Sequence, residues 1–454
     1  MITIQYEHLV AFFVALIVAF FSTPIAKKIA FRSGAVDVPK DARRMHKQPM
    51  ALMGGLAIIF GFSASALYSF SSRNAGAFLQ MLPTARFLGP FFATLLIIGM
   101  GIADDITPLK ARAKLPFQLV AAALVAATGT RVMAISKPFQ AISIGSSDMM
   151  FMVGDIVSYL VTILWIVGVT NAINLIDGLD GLSAGVSGIA AISLFIVAVV
   201  KGQQEVALVT ITLFGAIIGF LPYNFNPAKI FAGSTGAYFL GFMLAVISVS
   251  GTMKSVTVIS LAVPILVLGL PLFDTLFAMT RRIVNGRPIG EGDRGHIHHR
   301  LVDMGLSHRM SVTVLYVISS ALGLVSIALA DKGILMAIIL VVLILIFIIG
   351  GARNLTEMRN ESEHHPDLPG VRIVPEQVQL VPAQKEENAE ANDTKNVEDN
   401  DAKNAEENDT KNVEDNDAKN AEANDTKQDD SELKETNPEN ANEPENANEP
   451  GKRE

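Results

Sequence analysis

Asn171-Ala-Ile-Asn-Leu-Ile-Asp177-Gly-Leu-Asp180-Gly-Leu182 sets two carboxamides and two carboxylates within ten residues, between the apolar stretches 156–174 and 182–200. A helix that crosses a bilayer needs about 20 mostly apolar residues, and each flanking stretch comes close to that length. A polar run between two such stretches belongs at a membrane surface, where backbone outside a helix reaches water. The fold class follows from this reading: helices crossing a bilayer, joined by polar turns. Asn and Asp oxygens are hard ligands that suit Mg²⁺, an ion that usually also takes substrate phosphates. The two Asp-Gly pairs supply tight turns that aim those oxygens. The rival reading is an ordinary loop, and the rest of the chain decides between them.

Outward from this segment, the same ruler marks spans near 8–29, 52–70, 86–103, 115–134, 156–174, 182–200, 205–223, 234–250, 255–279, 311–330 and 334–350. The expected fold is all-α, a polytopic membrane protein of eleven transmembrane helices. The first stretch has an acidic approach and no small-residue cleavage site, so it reads as a retained span. Composition divides the chain into a membrane domain, 1–351, and a cytoplasmic tail, 352–454. The whole chain carries −8, but the tail holds 29 Asp+Glu against 12 Lys+Arg, which leaves the membrane domain at +9. The tail repeats Asn388–Lys403 almost unchanged over Asn404–Lys419 and then repeats Glu439–Pro444. Repeats made of Asn, Asp, Glu, Lys and Ala bury no core, so the tail is expected to be disordered. The absence of cysteine excludes disulfides, thiolate chemistry and Cys-based zinc sites.

Basic residues orient the spans. Loops after odd-numbered spans hold 17 Lys and Arg, among them Lys110, Arg112, Lys114, Lys229, Arg281 and Arg300; the other loops hold 7. The odd loops are therefore expected in the cytoplasm, with the N-terminus outside. Every polar cluster of interest falls on the odd side. Asp104-Asp105 end the third span, and adjacent carboxylates persist where a cation or proton relieves them; a solvated pair at a helix end is the alternative. His296-Ile-His298-His299 lies in the longest such loop beside Asp293, Arg294 and Arg300. Its spacing is not that of a zinc-protease helix, and the arginines suit a phosphate-bearing ligand. Asp274 lies inside the ninth span with Pro264 and Pro271, and an intramembrane carboxylate marks either a functional site or a structural ion pair.

In this order and on one membrane face, Asp104-Asp105, Asn171–Leu182 and His296–His299 resemble the polyprenyl-phosphate N-acetylhexosamine-1-phosphate transferase superfamily, glycosyltransferase family 4. The loop Arg281–His308 resembles the branch that uses UDP-N-acetylglucosamine (UDP-GlcNAc), in particular the enzymes that initiate teichoic acid. The resemblance covers roughly residues 5–350. It implies transfer of GlcNAc-1-phosphate from UDP-GlcNAc to undecaprenyl phosphate at the cytoplasmic face of a bacterial plasma membrane. It also implies Mg²⁺, with Mn²⁺ as the alternative ion. Asp104, Asp105, Asp177 and Asp180 are then the expected catalytic residues. Asn171, His296, His298, His299, Arg294 and Arg300 are the expected substrate contacts, and Asn174 and Asp177 the expected metal ligands. The implied partners are the two substrates and the lipid bilayer, with no nucleic acid; a homodimer is allowed but not required.

Two positions depart from the family pattern. Relatives usually carry Gly-Asp-(Ser/Thr)-Gly after the seventh span, with the Asp on the metal, where this chain reads Gly233-Ser234-Thr235-Gly236. Upstream of Gly54-Gly55, relatives usually carry Pro-Arg in place of Ala51-Leu52. A neutral Ser234 weakens a hard-cation site, and Leu52 removes a phosphate donor. Three alternatives therefore stay open: transfer of phospho-MurNAc-pentapeptide, a catalytically impaired relative acting as scaffold or regulator, and a transporter. Transporters place polar residues near the midplane, often in two similar halves, which this chain does not.

Overall fold

The computed structural model describes residues 5–39, 48–72, 85–132, 148–252, 259–286, 288, 295–336, 338–339 and 341–342. The chain divides into two units, Met1–Ile373 and Val374–Glu454, and every described residue lies in the first. The expected disordered tail, 352–454, most of the expected span 334–350, and Arg294 lie outside the described residues.

Helix α1 (Tyr6–Ser33) ends at Gly34, whose φ of 77° is left-handed. The chain then forms a short antiparallel hairpin of β1 (Val36–Asp37) and β2 (Met50–Ala51), pairing Val36 with Ala51 and Asp37 with Met50. There follow α2 (Gly55–Ser72), α3 (Ala85–Ile106), α4 (Ala111–Ala127), α5 (Asp148–Ile176), α6 (Leu182–Val200), α7 (Gln204–Asn224) and α8 (Gly233–Thr252). The described part closes with α9 (Ile259–Val267), α10 (Gly269–Val284), α11 (Ile297–Asp303) and α12 (His308–Lys332). The hairpin corrects the all-α expectation. Its four residues are too few to show as a sequence period, and they pair because Gly34 turns the chain back on itself.

Seven of these helices are long and apolar enough to cross a membrane, or eight if α9 and α10, bent by 79°, form one broken span. The protein is a mostly helical, polytopic membrane protein. Segment 52–70 appears as a shorter apolar helix. Segment 115–134 appears as α4, whose 17 residues cover about 26 Å at 1.5 Å per residue.

The packing explains the composition. On α1, Leu9, Phe13, Ile17, Phe21 and Ile25 are exposed, whereas Ala11, Ala15, Ala19, Ala26 and Ala30 are buried. Large apolar side chains face outward, and small ones let backbones approach, as in helix packing within lipid. The Ser65 hydroxyl of α2 donates to the Ala11 carbonyl at 2.7 Å across this contact. Helix α1 packs on α2 and α7, and α8 sits centrally against α3 and α5. Because successive helices alternate in direction, the ends of α1, α3, α5, α7 and α10 gather at one end of the bundle with the starts of α2, α6, α8 and α12. The polar clusters lie there.

Candidate active site

A cavity of about 680 Å³ opens at that end. Its wall includes Asp104, Asp105, Lys114, Asn174, Asp177, Asp180, Ser234, His299 and His308, together with Leu52. Of the residues expected from the sequence, Asp104, Asp105, Asn174, Asp177, Asp180 and His299 thus come together, and Ser234 stands among them.

The Asp pair divides its work. Asp104, at the end of α3, accepts the Leu109 N–H at 2.7 Å and the Lys114 ammonium at 2.7 Å. Asp105 turns the other way and accepts the N–H groups of Ser234 and Thr235, at 2.7 and 3.0 Å, and the Thr235 hydroxyl at 2.6 Å. These donors open α8, where a helix leaves N–H groups without partners. Gly233 permits the approach: its φ is +71°, and a Cβ there would lie 2.7 Å from Asp105 Oδ2. Repulsion between adjacent carboxylates is therefore relieved by an ammonium on one and helix amides on the other.

Asn174 and Asp177 lie three residues apart, close to one face of a helical turn. Asp177 accepts the Ser183 hydroxyl at 2.5 Å. Burial pushes its carboxyl up to about 7; the Ser183 hydrogen bond opposes that rise, and the charges of Asp105 and Asp180 add to it. A carboxylate this strained by desolvation, with no cationic partner among the described residues, suits a divalent cation. Asn174 has no hydrogen-bond partner among the described residues, and its side-chain oxygen is the right donor type. Among the described residues no three His, Asp or Glu side chains form a metal cluster by themselves. That fits Mg²⁺, which needs few protein ligands when substrate phosphates supply the rest. The residues present fit the ion.

The histidine loop docks on the same turn. Helix α11 starts at His296, whose Nδ1 lies 2.9 Å from Asp274 Oδ2, while Ile297 N–H donates to Asp274 Oδ1 at 2.8 Å. Asp274 and His296 are both buried, so the intramembrane carboxylate serves as the anchor of this loop. His298 is 1 % exposed, and neither ring nitrogen has a partner among the described residues. Its ring lies 4.2 Å from that of His299, and burial together with the His299 charge holds its pKa down to about 3. His298 is thus neutral at pH 7. A Cβ at Gly178 would fall 2.3 Å from His298 Nε2, so the second Asp-Gly pair leaves room for an imidazole as well as for a turn.

Several expected residues lie elsewhere. Asn171 pairs its carboxamide with Gln118 on α4, at 2.5 and 3.3 Å, and does not line the cavity. Arg300 sits over the Phe277 ring at 5.2 Å. Asp180 lines the cavity, yet its Oδ2 accepts from Asn226 Nδ2 at 2.9 Å and Ala228 N–H at 3.0 Å. Lys114, Asn226 and His308 were not singled out from sequence. The Asn226-Pro227 turn signal and the short distance from Asp104 to Lys114 were the available hints.

Bundle and cavity together define a membrane-embedded enzyme class in which carboxylates, carboxamides and imidazoles share one face. Residues 87–252 match the model of glycosyl transferase family 4. Over 338 residues the chain is 42 % identical to a probable undecaprenyl-phosphate N-acetylglucosaminyl 1-phosphate transferase of Bacillus subtilis (strain 168), covering 74 % of this chain and 89 % of that protein. It is 31 % identical to a decaprenyl-phosphate N-acetylglucosaminephosphotransferase of Mycolicibacterium smegmatis, over 66 % of this chain and 77 % of the relative. A phospho-N-acetylmuramoyl-pentapeptide-transferase of Streptococcus thermophilus matches at 35 % over 20 % of this chain and 27 % of its own length. The chain belongs to glycosyl transferase family 4.

Proposed function

We propose that the protein transfers GlcNAc-1-phosphate from UDP-GlcNAc to undecaprenyl phosphate, giving undecaprenyl-diphosphate-GlcNAc and UMP. The observation that carries this reading is the shared wall of Asp104, Asp105, Asn174, Asp177 and His299 in one cavity of a chain 42 % identical to a relative named for that transfer. An oxygen of the lipid phosphate forms a bond to the β-phosphorus, and the bond from that phosphorus to the bridging oxygen breaks, so UMP leaves with the oxygen. Such a step needs alignment and charge neutralisation more than covalent help. Asp104 holds the Lys114 ammonium at the cavity wall, where it meets a phosphate. Asp105, saturated by helix amides, fixes the start of α8 and with it Ser234. Asn174 and Asp177 hold Mg²⁺, or Mn²⁺, which when bound supplies positive charge to the diphosphate. The Asp274-anchored loop brings His299 to the substrate phosphates, with neutral His298 packed beneath it.

This reading places the site face in the cytoplasm of a bacterial cell, the N-terminus outside and eleven crossings in the plasma membrane. The support is the excess of Lys and Arg on the loops of that face. The full chain in detergent, offered UDP-GlcNAc and UDP-MurNAc-pentapeptide together, is expected to yield the GlcNAc lipid by mass. A MurNAc-pentapeptide lipid would move the assignment to the other branch. A second reading, a catalytically impaired relative, is favoured by Ser234, which brings a neutral hydroxyl to the wall.

A further inference from the structure

His308 begins α12, whose N-terminus is capped by the Ser307 hydroxyl accepting from Met310 N–H at 3.3 Å. The Asp180 N–H donates to His308 Nε2 at 2.8 Å. A ring nitrogen that accepts carries no hydrogen, so in this arrangement the imidazole is neutral with its proton on Nδ1. The next residue, Arg309, donates from Nε to the main-chain oxygen of Asn226 at 3.1 Å and to its side-chain oxygen at 3.3 Å. Asn226 in turn donates to Asp180 Oδ2 at 2.9 Å, and Ala228 N–H reaches the same oxygen at 3.0 Å. These bonds close a ring through three segments distant in sequence: the turn after α5, the loop after α7 and the start of α12. Asp180, Asn226, Ala228 and His308 all line the cavity.

The turn it grips is weakly held from within. Between α5 and α6 its own main-chain bonds are Asp177 N–H to Asn174 O at 3.3 Å, Gly178 N–H to Ile176 O at 2.8 Å and Leu182 N–H to Leu179 O at 3.0 Å. Each of these is local, so none sets the turn against the rest of the site. We propose that His308 is a positioning residue for the transfer reaction. By accepting the Asp180 N–H, and with Arg309 clasping Asn226, it holds the turn that carries Asp177 in register with the 224–228 loop. This rests on the transfer reading above. It also assigns Asp180 to the clasp rather than to the reacting atoms.

The two short amides separate the roles of the ring nitrogens. In His308→Gln the side-chain oxygen reaches the place of Nε2 and still accepts; in His308→Asn the amide reaches only as far as Nδ1. With full-length protein in detergent, His308→Gln is expected to keep kcat within about threefold. His308→Asn is expected to lose about 10²-fold in kcat, the cost typical of a misplacement near 1 Å, with KM for UDP-GlcNAc little changed. Hydrogen exchange in peptides covering 174–182 and 224–231 is expected to quicken in His308→Asn and not in His308→Gln, with exchange in α1 and α8 unchanged in both. Retention of kcat by Asn with loss by Gln, equal loss by both, loss by neither, or unchanged exchange in His308→Asn would each overturn the proposal. Absence of transfer by the native chain would instead overturn the transfer reading, and the exchange comparison would still judge the clasp.

Discussion

Asp105 caps a helix that begins 128 positions further along the chain: its carboxylate takes the Thr235 N–H at 3.0 Å and the Thr235 hydroxyl at 2.6 Å, with Ser234 N–H on the other oxygen at 2.7 Å. Asp105→Asn would set an amide NH₂ against one of these donors. Hydrogen bonds to charged groups contribute about 1.5–3 kcal/mol each, so the variant is expected to lose about 2 kcal/mol or more of stability. Asp104→Asn keeps an acceptor for Leu109 N–H and is expected to lower Tm less while still losing transfer. Melting in detergent, followed for both variants, checks the order.

Gly178→Ala places a methyl group 2.3 Å from His298 Nε2. Overpacking a buried contact costs about 1–3 kcal/mol, and here the loop bearing His299 has to move. Transfer is expected to fall at least tenfold, with a small change in Tm. Near-native transfer would show that the histidine loop does not need this seat.

Two groups at the site titrate in opposite senses. Asp177 has a folded pKa of about 7, raised from 3.8, so its contribution to stability is full below 3.8 and is lost as pH rises through 7. His298 has a folded pKa of about 3, lowered from 6.5, so its contribution is full above 6.5 and is lost as pH falls toward 3. In EDTA the two slopes oppose each other. Relative to the native chain, Asp177→Asn is expected to make Tm fall more steeply toward acid, and His298→Gln to make it fall more steeply toward alkali. Added Mg²⁺ is expected to raise Tm of the native chain more at pH 8 than at pH 6, because the cation and the proton compete for Asp177.

Ser234→Asp returns an anionic oxygen to the wall that Asn174 and Asp177 share. A hard cation gains from each such ligand, and a tenfold change in affinity is about 1.4 kcal/mol. The Mg²⁺ concentration for half-maximal transfer is expected to drop about tenfold or more. Transfer found only in Ser234→Asp would establish the impaired reading for the native chain.

The residues that met the sequence reading did so because their chemistry is local. The apolar stretches form the helices whatever their neighbours, and Asn174 and Asp177 share a turn through spacing alone. Partners set by packing were not legible. Asn171 looked like a ligand because nothing in its neighbourhood names Gln118, 53 positions away, as its partner. Asp180 resembled Asp177 in sequence, yet the loop at Asn226–Ala228 occupies its carboxylate. Asp274 was left open between a site and an ion pair; the distance to His296 Nδ1, 2.9 Å, makes it the loop's anchor. Each of these depends on which helix lies beside which, and a hydropathy pattern carries no such information.

The central claim is transfer of a sugar phosphate rather than of a sugar. The most direct measurement gives the purified full-length chain undecaprenyl phosphate, Mg²⁺ and UDP-GlcNAc carrying ³²P in its β-phosphate. The account predicts that the label moves into the lipid phase while unlabelled UMP is released, and that Asp177→Asn abolishes both. Label retained in the aqueous phase as UDP, with GlcNAc alone on the lipid, or no label in lipid at any Mg²⁺ concentration, would contradict it.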